Sequence, residues 1–247
     1  MRRLLLFFLL VVLCCSACAL SEANRKKASY HFQMGESYLR EQNVTSALIE
    51  FTEAEKLTPD DPALLNFLGM TYSRKGKLDI AAQKYQQAIA LKPDFSDARN
   101  NLGVTYMELQ RWDDAINQLR QARNDLFYHN QEAAQINLGL AYLGKGDEEE
   151  ALQVSRSAVI NFPRSPQCRL TLGRVYFALG RTELAIEEYR KAIELSKGYA
   201  NAHYHLGMAL LKLKENEAAR NAFREVVTLA PDTEIGRLAR EHIDLLK

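Results

Sequence analysis

This 247-residue chain has little to work chemistry with. Its four cysteines include three crowded at positions 14, 15 and 18, so no disulfide framework can be assembled around the remaining Cys168, which reads as a packing residue rather than a nucleophile. Charge of either sign is not in excess: 32 basic residues face 31 acidic ones for a net +1, with no basic stripe to follow a nucleic-acid backbone. His203 and His205 stand two apart on a helical stretch and face different directions. No zinc-spaced pair, nucleophile elbow or dinucleotide fingerprint is present. These absences argue against an enzyme and against a metal, a cofactor or a small-molecule substrate. Long apolar runs are missing too. Residues 4–13 form a run of ten, half of the roughly 20 residues a membrane-spanning helix requires.

Glycine is also sparse, 12 in all, but half of it is in step. Gly35, Gly69, Gly103, Gly139, Gly173 and Gly207 recur every 34 residues, with a single step of 36. Twelve residues after each comes an alanine: Ala47, Ala81, Ala115, Ala151, Ala185 and Ala219. Between glycine and alanine the apolar spacing gives two short amphipathic helices, A and B, parted by a polar turn. Small residues at fixed register fit helices whose axes approach to about 8 Å. A third small series, Ala54, Ala88, Ala122, Ala158, Ala192 and finally Val226, falls where helix B meets the next repeat, and Pro59, Pro93, Pro163 and Pro231 stop helix B. Tyr38, Tyr72, Tyr106, Tyr142 and Tyr176 add bulk one turn after the glycine.

A 34-residue helix-turn-helix with this pattern resembles the tetratricopeptide repeat. The departures are Ser155, where an aromatic is usual, and Phe127 and Lys197 in place of the terminal proline. The resemblance implies an all-α, right-handed superhelical solenoid of six repeats, 28–61, 62–95, 96–131, 132–165, 166–199 and 200–233. A capping helix, 234–247, would close the stack with Ile235, Leu238, Ala239, Leu245 and Leu246 on its apolar side. The two extra residues of repeat three fall within 124–130 and should reshape the turn into repeat four. Within this frame Gly144-Lys145-Gly146 is an inner turn rather than a phosphate loop, Asn43-Val44-Thr45 is turn chemistry rather than a glycosylation site, and Asp147 to Glu150 make a dipole-favourable helix start.

At the amino end, Arg2 and Arg3 precede the apolar run, the layout of an export signal over residues 1–17. Two cuts compete. Cys15-Ser16-Ala17-Cys18 looks like a lipobox, with cleavage before Cys18 and lipid on its thiol; Ala17-Cys18-Ala19 satisfies the small-x-small rule for ordinary secretion. The first expectation is an outer-membrane protein anchored by lipid at its periplasmic face, residues 18–27 forming the lipidated cysteine and a short tether; the second is a soluble periplasmic protein. The first helix should start near Arg25, and Arg25, Lys26 and Lys27 either meet lipid phosphates or form a solvated helix start.

In this repeat type, helix A lines the inner face through positions three before the glycine and one and four after it. That assigns Phe32, Glu36, Leu39, Asn66, Met70, Ser73, Asn100, Val104 and Met107 in the first three repeats. In the last three it assigns Ile136, Leu140, Leu143, Leu170, Arg174, Phe177, Tyr204, Met208 and Leu211. The set is mostly apolar and lacks the Lys and Asn clamp for a terminal carboxylate, so it suits an amphipathic helix or an extended peptide paired by Asn66 and Asn100. About half of it should instead pack between neighbouring helices.

Six repeats, a lipobox and a short tether resemble the type IV pilus biogenesis lipoproteins of the PilF/PilW kind, the pilotins. Asn100-Asn101-Leu102-Gly103, the junction 122–128 and Asn137-Leu138-Gly139 are similar to that family's middle repeats, whose frequent cysteines are missing here. The resemblance implies a non-catalytic outer-membrane scaffold, partnered by a secretin pore that it helps to localise and multimerise. The alternative is a lipidated adaptor for cell-wall hydrolases or another periplasmic complex.

Overall fold

The computed structural model describes residues 22–246, and every regular element among them is an α-helix. The signal segment, both candidate cuts and Cys18 lie outside the described residues. The chain divides into two compact units, Met1–Leu109 and Gln110–Lys247. The first holds α1 (22–40), α2 (Val44–Leu57), α3 (Pro62–Arg74), α4 (Leu78–Leu91) and α5 (Ser96–Glu108). The second holds α6 (Trp112–Asn124), α7 (Gln131–Lys145), α8 (Glu148–Asn161), α9 (Pro166–Ala178), α10 (Thr182–Leu195), α11 (Ala200–Lys212), α12 (Asn216–Leu229) and α13 (Glu234–Leu245). Through α12, odd-numbered helices are A helices and even-numbered ones B helices. The unit boundary falls inside repeat three.

The repeat glycines have a more particular cause than close helix axes. A methyl group on Gly35 would sit 2.5 Å from Phe51, on Gly69 2.5 Å from Tyr85, on Gly173 2.4 Å from Tyr189 and on Gly207 2.7 Å from Phe223. In each case a ring sixteen residues downstream, on helix B, lies against the glycine, and all four rings are almost wholly buried. The second series, Ala47 to Ala219, is sealed from solvent at every position. Burying such rings with their aliphatic neighbours contributes roughly 1.5–3 kcal/mol per large side chain, which is how short helices that are marginal alone become stable together.

The turn between helices A and B is built the same way each time. Seven residues after the repeat glycine the backbone turns left-handed, at Gln42 (φ 60°), Gly76 (70°), Gln110 (58°), Gly146 (90°), Gly180 (73°) and Lys214 (62°). Gly144-Lys145-Gly146 is therefore the end of α7, and Lys145 Nζ bridges Asp113 and Asp147, both at 2.9 Å. Asn43 is the N-cap of α2, its side chain accepting from Ser46 N–H at 3.1 Å. At the far end of each helix B the backbone N–H of the residue after the helix returns to the third small series: Thr58 to Ala54, Lys92 to Ala88, Asp125 to Ala122, Phe162 to Ala158, Ser196 to Ala192 and Ala230 to Val226.

Three features differ from the sequence-based expectation. First, α1 is already helical at residue 22, ahead of Arg25, and Lys26 pairs with Glu22 at 2.8 Å one turn upstream. Second, α13 packs on α11 and α12 through Ala239, with the His242 ring stacked on Phe223 at 4.8 Å, but Leu245 points to solvent at 83% exposure. Third, the longer junction after α6, expected only to be reshaped, is pinned by three hydrogen bonds. The Asp125 carboxylate accepts from Phe127 N–H at 2.9 Å, and the Asp125 carbonyl accepts from Tyr128 N–H at 3.2 Å and Gln131 Nε2 at 2.7 Å. Tyr128 is thereby turned inward onto Ala122 and Ala134, while Leu126 and Phe127 are thrown outward, 85% and 96% exposed.

Candidate functional site

The proposed inner-face positions separate by register. Three residues before the glycine, Asn66, Asn100 and Leu170 are buried, while Phe32, Ile136 and Tyr204 are half-buried; Phe32 meets Phe67 edge-on at 5.1 Å and Phe51 at 5.7 Å. One residue after it, Glu36, Met70, Val104, Leu140, Arg174 and Met208 are all half-buried, as are Ser73, Met107, Leu143, Phe177 and Leu211 four residues after it; Leu39 is buried.

In the first unit these positions make a cleft. Glu36, Leu39, Arg40, Phe67, Met70 and Arg74 enclose a cavity of about 270 Å³ between α1 and α3. Its floor is Leu39, Phe67 and Met70, and Arg74 Nη1 donates to the Leu39 carbonyl at 3.5 Å. Arg40, Phe67 and Arg74 were not among the residues assigned from sequence. Arg40 and Arg74 each lie one residue past the assigned position at the end of an A helix, so they were within reach of the register argument. The two arginines and Glu36 make this cleft amphipathic, apolar below and charged at the rim. Asn66 is already engaged: Asn101 Nδ2 donates to its Oδ1 at 3.1 Å, and its own Nδ2 reaches Met70 Sδ at 3.9 Å. Its carbonyl is accordingly committed to an interhelical bond rather than to a peptide backbone.

In the second unit the corresponding helix A positions lie beside two cations, Arg174 and Lys212. Lys212 Nζ stands 4.6 Å from the centre of the Phe177 ring, an ammonium over an aromatic face. Arg174 acts on Tyr189, Tyr199 and His205, and burial together with this nearby positive charge pushes the His205 pKa down to about 4. The imidazole is neutral at physiological pH and packs against Tyr189 at 5.7 Å. Cys168 is fully buried, its thiol pushed up by desolvation, the opposite of what a nucleophile needs. Among the described residues there is no cluster of three His, Cys, Asp or Glu placed to hold a metal, and no helix is long and apolar enough to cross a membrane.

Family models agree with this architecture. A TPR repeat model matches residues 69–110 and 173–214, and tetratricopeptide repeat models match 105–166 and 200–233. Together they run from 69 to 233 with one short gap. The chain belongs to the tetratricopeptide-repeat proteins. As a class these are protein-interaction scaffolds that bind partner proteins or peptides. No curated protein matches the chain in sequence. Among solved structures it is similar to Pseudomonas aeruginosa PilF, at 17% identity over 91% of this chain and 100% of that one, with a TM-score of 0.71. It is similar to PilW, described as a widely conserved type IV pilus biogenesis factor, at 20% identity over 86% and 98%, with a TM-score of 0.76. A tetratricopeptide repeat protein from Parabacteroides merdae aligns at 19% identity over 92% and 89%, with a TM-score of 0.75. At these identities the likeness shows a shared all-α solenoid.

Proposed function

We propose that this protein is a non-catalytic scaffold of type IV pilus biogenesis, held at the periplasmic face of the outer membrane by lipid on Cys18, where it helps a secretin to localise and multimerise. The observation that carries the reading is the near-complete overlap with PilF and PilW, 100% and 98% of those chains, beside the lipobox and the middle-repeat motifs read from sequence. The helix A face supplies the grip through the cleft at Leu39, Phe67 and Met70, an apolar floor of the sort that takes one face of an amphipathic helix, with Arg40 and Arg74 above it for an acidic residue of the partner. Three acyl chains on Cys18 would make the anchoring effectively permanent, since a single chain binds only marginally.

The test is deletion of the gene with two readouts. Loss of detergent-resistant secretin multimers, restored by the wild-type chain, is the expected result; intact multimers would leave the hydrolase-adaptor alternative in its place. Metabolic labelling with a clickable palmitate should mark the wild-type chain and not Cys18→Ser, and an unlabelled wild-type chain would point to the soluble periplasmic form.

A further inference from the structure

Each connection from a helix B to the next helix A carries an aromatic residue, except the first. Phe95 packs on Leu65, Ala88 and Ala98 between α4 and α5, and Tyr128 on Ala122 and Ala134 between α6 and α7. Phe162 and Tyr199, both half-buried, occupy the connections α8 to α9 and α10 to α11. The first connection is Thr58-Pro59-Asp60-Asp61. Its counterparts of Ala88 and Ala98 are Ala54 and Leu64, and here both line an open cavity of about 780 Å³. Ala28, Phe32 and Leu57 complete the apolar floor, and Asp60 stands at the rim. The molecule's own junctions therefore show what belongs in this space, which is a ring.

One ring has the opposite problem. The longer third junction brings two aromatics where one suffices; Tyr128 takes the inner position, and Phe127 is left 96% exposed beside Leu126 on a turn pinned by Asp125. Among the large apolar side chains of the described residues, Phe127 is the most exposed. Arg123, four residues before Phe127, is opposite in sign to Asp60 at the cavity rim.

We infer that the cavity at the first junction receives Phe127 of a second copy of this chain. The contact joins two different surfaces, the turn of one copy and the cavity of another. It is also weak. An aromatic side chain buries only about 150–250 Å², well under the roughly 1,200 Å² of a stable interface, so the contact is populated where copies are crowded together.

The experiment places the photo-crosslinking amino acid p-benzoylphenylalanine at position 127 of the full chain in cells. A second, differently tagged copy carrying Phe127→Ser offers the cavity alone. Irradiation should give a product of twice the chain mass, with the crosslink mapped to peptides within 24–33 or 54–64. Ser29→Trp in the receiving copy fills the cavity from its exposed edge, and should cut the product about tenfold, the loss expected when an anchor side chain is excluded. Leu57→Lys, which puts charge on the floor, should do the same, and each variant's helicity and melting temperature are measured alongside. A product that ignores both substitutions in folded receivers, a crosslink only to some other protein, or no product at the cell's own expression level overturns the inference.

Discussion

Repeats four and five are neighbours in the second unit and carry a glycine at the same register, yet the glycine meets different partners. Gly173 meets the Tyr189 ring, which is 1% exposed. Gly139 faces Ser155, whose hydroxyl is buried and has no hydrogen-bond partner. Both helix pairs form nonetheless, so the ring is not required for the repeat to exist. What the ring adds is packing: where it is present the glycine is a steric necessity, and at Gly139 an added methyl would meet only a hydroxyl that can turn aside.

Four experiments sharpen or break that contrast. The largest effect should come from Tyr189→Ala, which leaves a cavity and should lower unfolding free energy by about 3–5 kcal/mol in a urea titration followed by circular dichroism. Next comes acid. Folded His205 resists protonation down to about pH 4, whereas the unfolded residue takes a proton near 6.5, so the unfolded state is favoured progressively as pH falls from 6.5 to 4. The loss should be on the order of 2–3 kcal/mol at pH 4, and His205→Phe, which keeps the ring contact with Tyr189, should flatten it. A wild-type and variant pair with equal pH slopes would show that this imidazole is not buried against Arg174 as described. Third, Gly173→Ala forces a methyl into a ring and should cost about 1–3 kcal/mol, whereas Gly139→Ala displaces only a rotatable hydroxyl and gains up to about 1 kcal/mol of helix propensity. Equal penalties at the two positions would end the comparison. The smallest effect is Ser155→Ala, which removes an unpaired buried hydroxyl and should raise stability by about 1 kcal/mol.

Much of this was legible in the residues before any coordinates. The six-fold glycine and alanine series placed the helix pairs, because small residues at a fixed register leave few other packings. Ser155 stood out as a missing ring for the same reason. Other features are not periodic, and the pattern was silent about them. Nothing in a helical register distinguishes Phe127 from Tyr128; which one turns inward is decided by the Asp125 side chain accepting from the Phe127 N–H. Left-handed backbone was visible as glycine at positions 76, 146 and 180, but Gln42, Gln110 and Lys214 adopt it too, held there by the turn around them. Asn66 read as a free peptide ligand because its bond to Asn101 joins residues 35 apart, a separation that only the fold reveals. The odd first junction was visible in principle, since Thr58-Pro59-Asp60-Asp61 lacks the aromatic its four counterparts have.

The account depends on the helix A face of the first unit being the surface that takes hold of a partner. Met70 and Met107, both half-buried there, are the places to test it. In a crosslinking pull-down from cell envelopes the wild-type chain should capture the proposed secretin, and Met70→Glu combined with Met107→Glu should lose it while helicity stays the same. Equal capture by the double variant would contradict the account.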